Sequence, residues 1–391
     1  MFASRTGWHL TPNRFSMAVR ERRERNLPVL DLTESNPTHC GFAFETEAVL
    51  GALGDPLSLF YEPDPKGLLS AREAVCTYYA DRGVQVDPEC VFLTASTSEA
   101  YSHLFRLLAN PGERILAPQP SYPLFDYLGD LSDVEIVPYP LVYHEGWQID
   151  LHTLGQQLDP PTRAILAVHP NNPTGSFVRK HEREFLIDCC RKHGLALIAD
   201  EVFADYALSE GDDRAASHAG VSEVLNFTLS GLSKIAALPQ MKLAWIIANG
   251  PPDDLAEALA RLEVITDTFL SVSTPVALAL PKWLGMRQGI QSQVRERLLH
   301  NLEKLDSLLT PEVPLSRLHV EGGWYAVLKL PATRSDEEWA IELISREGVM
   351  VHPGHFYDFP SQGFLVVSLL PAREVFELGI RKIVNYVCNG S

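Results

Sequence analysis

Basic residues are in short supply: 33 Lys and Arg stand against 50 Asp and Glu, a formal net charge of −17. Nucleic acid and anionic membrane surfaces are therefore poor partners. No apolar run approaches the ~20 residues a helix needs to span a bilayer. Met1 to Thr11 lacks the charged-then-apolar order of a secretory leader, so none is expected. Cysteine is scarce as well. The six present (Cys40, Cys76, Cys90, Cys189, Cys190 and Cys388) include no Cys-x-x-Cys and have no His at metal-ligand spacing. Neither a disulfide framework nor a metal site is indicated, and free thiols in a reducing cytoplasm account for them. The vicinal Cys189-Cys190 reads as two small buried residues of a helix rather than as a redox pair. Internal repeats and low-complexity tracts are also missing.

What is present is a chain long enough, at 391 residues and 46% hydrophobic, for a large core divided between two domains. Thr11-Pro12 has the form of an N-cap followed by Pro at the first helical position, opening a helix with the mixed charges Arg20 to Arg25. Leu27 to Leu32 reads as a short strand, followed by the turn Thr33 to Thr38, in which Asn36 is a candidate substrate contact. Helices and strands alternate from about residue 43. Strands are expected at 90–94, 114–117, 135–138, 164–169, 195–199, 225–230 and 243–248, most with helical stretches between them. Such alternation predicts an α/β fold, a mostly parallel sheet covered by helices on both faces. The texture changes near Pro281. A long charged helix (286–309) and strands at 320–327 and 364–370 describe a smaller α+β unit. The expected division is a large domain at 41–280 and a small one at 281–391, completed by residues 1–40.

On parallel sheets, ligands gather at the carboxyl ends of the strands, so the polar residues there carry the functional reading. Ser96-Thr97-Ser98 opens the helix after the strand at 90–94; hydroxyls and free amides at a helix start serve as a cap or as an anion cup. Asn171-Asn172-Pro173-Thr174-Gly175 is a tight turn by composition, and it also places an Asn amide beside whatever occupies the cleft. Asp200 ends the apolar run Leu195 to Ala199, a costly position for a carboxylate unless it is paired or meets a ligand cation. Lys234 ends the run through Leu232; a Lys desolvated in a cleft loses basicity and gains nucleophilicity. In this order the four describe pyridoxal phosphate chemistry. The cup takes the phosphate, Asn172 the ring oxygen and Asp200 the ring nitrogen, while Lys234 forms a Schiff base with the aldehyde. Tyr122, in Pro120-Ser121-Tyr122-Pro123, is placed to stack on the ring.

The chain also resembles the class I/II aminotransferases, fold-type I pyridoxal phosphate enzymes, over nearly its whole length. The matching stretches are Tyr61 with Gly67 to Arg72, Thr94 to Ala100, Pro120 to Tyr122, Asn172 to Gly175, Asp200-Glu201-Val202, Ser233-Lys234 and Gly322-Gly323. The resemblance implies a homodimer with shared active sites, in which Tyr61 reaches the neighbouring subunit's phosphate and Ser233 belongs to the cofactor site. It implies exchange of an amino group between an amino acid, or a related amine, and a 2-oxo acid. Another reaction on the same cofactor (elimination, decarboxylation or oxidation), or cofactor binding without turnover, is the alternative.

Four departures from the family pattern have physical consequences. Phe203 stands where relatives carry a Tyr that hydrogen-bonds the ring oxygen, and Lys242 where they have an Arg on the phosphate. A Lys there keeps the charge but not the planar fork. Gly231 replaces a phosphate-contacting Ser, though Ser230 is adjacent. In the C-terminal stretch 363–369, Val366 occupies the place of the Arg that grips the substrate carboxylate. Arg14, Lys66, His352, His355 and Arg373 are the possible replacements, and none is favoured by its sequence context. No Arg lies in Thr266 to Leu270, so an acidic substrate side chain is not indicated. Loss of a donor at Phe203 raises the pKa of the Schiff base. Phe203→Tyr is expected to lower it, as read by pH titration of the visible absorption, and an unchanged midpoint would count against this assignment.

Overall fold

The computed structural model describes residues 1–270 and 272–390. Eight strands form one sheet in the order Val91–Thr94, Ala244–Asn249, Asn226–Gly231, Ala196–Asp200, Thr162–Val168, Arg114–Gln119, Glu135–Tyr143 and Trp147–Ile149. Ala244–Asn249 runs antiparallel to both neighbours, as does Trp147–Ile149 to its one neighbour; the other pairings are parallel. Asn226–Gly231 and Ala196–Asp200 are buried at every position, as strands covered on both faces must be. Alternate residues serve opposite layers. Ala117, Leu166 and Ile198 pack with Tyr101, Leu104 and Leu262 of the helices Thr97–Leu108 and Pro252–Phe269. Leu116, Ile165 and Leu197 pack with Leu186 of the helix Lys180–His193 and with the smaller unit.

The smaller unit is an antiparallel sheet in the order Ser316–Arg317, Tyr325–Lys329, Phe364–Ser368, His352–Pro353. The helices Arg287–Leu308 and Arg373–Gly390 pack on it. The N-terminal segment joins this unit: Leu30–Asp31 pairs in parallel with Val349–Met350, and Ser368 N donates to Leu32 O at 2.7 Å.

Two local expectations are corrected. The first long helix is Arg14–Glu24, capped by Asn13, whose side chain accepts from Ser16 N; Thr11-Pro12 lies outside it. Asn is the stronger cap because its carbonyl reaches the third amide of the helix. The strand expected at 320–327 is confined to Tyr325–Lys329, since Gly323 at φ +81° breaks the extended run. Pro281 lies inside the helix Thr274–Gly285, and the buried Trp283 beyond it packs with Val49, Val75 and Trp245 on the large-sheet side.

The smaller unit is tied down over the carboxyl ends of the large sheet. Arg179 forks onto Glu321 at 2.9 and 2.8 Å, and Gly323 N donates to Tyr206 O at 2.9 Å. Backbone meets backbone where Gly175 (φ +71°) faces residue 322. A Cβ at Gly175 would come within 2.4 Å of Val320 Cγ2 and 2.5 Å of Gly322 O. Gly175→Ala is therefore expected to cost about 3 kcal/mol or more, combining steric overlap with a disfavoured φ. Denaturant unfolding would show it as a lowered midpoint, and an unchanged midpoint would refute the close approach.

Candidate active site

Asp200 is the last residue of its strand, paired in register with Val168 and Leu229. Its carboxylate accepts from Tyr101 Oη at 2.6 Å and from Val202 N at 2.9 Å. Burial raises its pKa, and these two donors and the nearby Lys234 charge oppose the rise. Lys234 lies in the short helix Leu232–Ile235 that follows the strand Asn226–Gly231. Its amine makes no hydrogen bond or ion pair with the described residues; it stands over the rings of Phe203, 5.3 Å from the centroid, and Trp324, 4.8 Å away. Burial pulls its pKa down to about 8, against the pull of Asp200. At neutral pH a useful fraction is then the uncharged, nucleophilic amine.

The loops after the neighbouring strands are knotted together by Asn171, which the sequence reading passed over. Its amide nitrogen donates to Pro120 O and Thr174 Oγ1, and its oxygen accepts from Ser121 Oγ at 2.9 Å. Asn172 is thereby left free of structural duty, and its Oδ1 is buried with no partner among the described residues. Tyr122 hydrogen-bonds Ser98 and feels the Asp200 charge, so the cup, the aromatic ring and the carboxylate share one cleft. Ser96 caps the helix Thr97–Leu108 by accepting from Glu99 N at 3.1 Å. The Thr97 and Ser98 amides, at the start of that helix, make no hydrogen bond among the described residues, and there the dipole favours an anion.

Other expected site residues stand differently. Tyr61 is 72% exposed on an irregular loop. Lys242 is exposed in a left-handed conformation (φ +51°), next to Leu243, whose carbonyl binds Leu232 N. Ser233 is half-buried beside Lys234. Asn36 turns back on its own loop, accepting from the Thr38 amide and hydroxyl. Val366 is fully buried between Val327 and His352 in the small sheet. Among its possible replacements, Arg14 pairs with Glu337, Lys66 with Glu89 and Arg373 with Glu296, all facing outward partners. His355 is exposed. His352, held to about 4 by burial, is uncharged near neutrality, its Nδ1 3.0 Å from Tyr357 Oη.

Sequence reasoning missed Tyr101, Trp324, Tyr325 and Tyr357. Only Tyr101 left a signal, a hydroxyl one turn beyond the helix start on the buried face. A cavity of about 420 Å³ lies at the opposite, amino ends of the strands, lined by Gly194, Leu195 and Leu225, away from this chemistry.

The Aminotransferase class I and II family model matches residues 29–378. The chain belongs to this family. The glutamate-pyruvate aminotransferase AlaA of Haemophilus influenzae is 27% identical over 377 residues, covering 95% of this chain and 93% of the relative. The alanine aminotransferase of Mycobacterium tuberculosis is also 27% identical, over 92% of this chain and 85% of its own. An Escherichia coli aminotransferase structure superposes with a TM-score of 0.86 at 25% identity, covering 99% and 98% of the two chains. The Pyrococcus furiosus alanine aminotransferase shares the fold, with a TM-score of 0.88 at 22% identity over 99% of each chain. This class I and II aminotransferase is thus a pyridoxal phosphate-dependent enzyme of amino-group transfer.

The residues present fit that cofactor. An unpaired amine of lowered basicity stands within electrostatic reach of a buried carboxylate, Tyr122 joins that carboxylate to the helix start at Ser98, and Asn172 Oδ1 is buried without a partner among the described residues. In the cofactor-free aminotransferase, Lys234 is expected to titrate with a midpoint near 8, as read by pH-dependent reductive methylation of that residue. Asp200 raises this pKa, so Asp200→Asn should move the midpoint lower still; a rise, or a midpoint near that of a free Lys, would contradict the electrostatics described.

Proposed function

We propose that Lys234 holds the aldehyde of pyridoxal phosphate and that Asp200 pairs with its ring nitrogen. Asn172 meets the ring oxygen, with Phe203 beside it contributing no donor. Tyr122 covers a ring face. Ser96, Thr97 and Ser98 at the start of the helix Thr97–Leu108 would hold the phosphate, together with Ser233 and Lys242. When bound, the cofactor supplies an aldehyde that condenses with amines and a ring that accepts the electrons freed as a substrate C–H bond loses its proton. The chain's own part begins with the Lys234 amine. With the cofactor bound, that amine would serve in the cleft as a base and then an acid, taking the proton from the substrate carbon and returning it one position away. Asp200 favours a protonated ring nitrogen, because a buried anion without a cation beside it is costly. Trp324 and Phe203 keep bulk water from the amine, which keeps its pKa in the working range.

The observation that carries this reading is the unpaired Lys234 amine, between two aromatic rings and within electrostatic reach of Asp200. By analogy with the alanine and glutamate-pyruvate aminotransferases it resembles, the enzyme moves amino groups between amino acids or related amines and 2-oxo acids. A homodimer with shared sites is part of the proposal. Leu57, Leu59, Phe60 and Tyr61 are exposed, and Tyr61 shares a small cavity with Leu270, also exposed, an apolar surface suited to a second copy. Six unpaired thiols support a cytoplasmic setting. The domain division at 41–280 and 281–391 with 1–40 is likewise proposed, with the helix Thr274–Gly285 crossing it.

Borohydride reduction of the loaded enzyme is expected to fix one cofactor on the peptide containing Lys234, as read by mass spectrometry. Lys234→Ala should abolish the label and slow amino transfer by about a thousandfold or more, in line with loss of a nucleophile and proton carrier. Labelling of a different lysine would overturn the assignment.

A further inference from the structure

The side chains around the Lys234 amine say what kind of molecule the cleft receives. Beyond Phe203 and Trp324, the Tyr325 ring lies 6.4 Å from Phe203 and 6.4 Å from Tyr357, centroid to centroid. Ser35 hydrogen-bonds Tyr325, the Tyr357 hydroxyl lies 3.0 Å from His352 Nδ1, and Tyr122 couples to both phenols. The group is aromatic, hydroxyl-bearing and largely buried.

Its electrostatics are one-sided. The charges acting on these phenols come from Asp200, on Tyr122, and Glu34, on Tyr325, and both are anions. No Arg or Lys among the described residues is a partner of Tyr122, Tyr325 or Tyr357. His352, the basic side chain touching the group, is held neutral by its burial. Behind it the small sheet presents Val366, fully buried against Val327. A carboxylate entering here would lose its water and meet no cation other than the Lys234 amine, which the proton transfer requires. Buried anions do not tolerate that combination. An uncharged substituent would meet ring faces and phenol hydroxyls.

We propose that the preferred amino donor carries no carboxylate on the carbon that bears the amine: it is a primary amine or an amino alcohol whose neutral groups pack against Phe203, Trp324 and Tyr325. This rests on the amino-transfer reading above. In the overall exchange the donor's C–N bond breaks, and its carbon leaves as an aldehyde or ketone. The nitrogen and the hydrogen from that carbon end on the acceptor's carbonyl carbon. Because the acceptor meets the same neutral wall, it too is an aldehyde or ketone without a carboxylate on that carbon, in place of the 2-oxo acid of the reading above. Through water, the oxygen the acceptor loses is matched by the one the donor gains. One amine and one carbonyl are consumed and one of each is formed.

The test mixes loaded wild-type enzyme with matched pairs, alaninol against L-alanine and 2-phenylethylamine against L-phenylalanine, and follows the cofactor absorption. The amine of each pair is expected to convert the cofactor with a kcat/KM at least about tenfold above that of the amino acid, the discrimination a site gives when one ligand leaves a charge unpaired. Equal or faster conversion by the amino acids would overturn the proposal while leaving amino transfer standing. No conversion by any compound would overturn amino transfer, and the proposal with it. Calorimetry on Lys234→Ala reads the same preference without turnover, with alaninol expected to bind about tenfold tighter than L-alanine; equal or tighter binding of L-alanine counts against it. Val366→Arg is expected to shift both ratios toward the amino acid, and should it not fold, the wild-type pairs decide alone.

Discussion

Two opposite charges face one another across the cleft without forming an ion pair, the Asp200 carboxylate and the Lys234 amine. The chemistry depends on that gap. A direct contact would satisfy both groups and hold the amine protonated, leaving nothing to react. Kept apart, each is desolvated and only partly compensated, so the Lys is less basic than in water and the carboxylate remains receptive to a cation between them. The sheet sets the separation. Asp200 ends one central strand, and Lys234 sits in the short helix that follows the adjacent one.

Holding an anion at the end of a buried strand needs a supporting layer, and the structure has one. Tyr101 and the Val202 amide bind Asp200 directly. Behind it, Glu201 accepts from the His218 amide and from Ser217 Oγ. Burial alone would raise its pKa, but these partners and the His218 ring bring it down to about 2. His169, packed against the His218 ring, is held neutral, lowered to about 3 chiefly by burial. His218 Nε2 is buried without a partner among the described residues, while the bonds to Glu201 are made and hold this layer behind Asp200 in place.

The second support is the smaller unit. Arg179 forks onto Glu321, the Gly175 turn approaches Gly322 O too closely for a side chain at 175, and Phe177 and Tyr206 O leave no room for one at Gly322. This contact sets the position of Trp324 over Lys234. Tyr325 and Tyr357 arrive on the same unit, and through Ser35 so does the N-terminal segment. Cofactor chemistry thus sits on the large sheet, while much of the wall that a substrate meets comes from the smaller unit. Replacement of side chains there alters what is accepted without disturbing Asp200 or Lys234.

Much of the framework was legible in the chain itself. Short apolar runs alternating with helical stretches specify a parallel sheet, because period and punctuation are local properties. A polar residue closing such a run, as Asp200 does, lies at a strand end by the same logic. Local signals also misled: Thr11-Pro12 has the form of a cap, yet Asn13 does the capping, and the run at 320–327 reads as a strand that in fact begins only at Tyr325. What only the tertiary structure decided is which distant side chains meet. Asn171 is spent on Pro120 and Ser121, leaving Asn172 unpartnered; Tyr101 reaches Asp200; Trp324 covers Lys234. None of these contacts leaves a period or a spacing in the sequence. They follow from the packing of two units against each other, and only that packing determines whether a buried charge finds a partner, stays exposed to a ligand, or meets a neutral wall such as Val366.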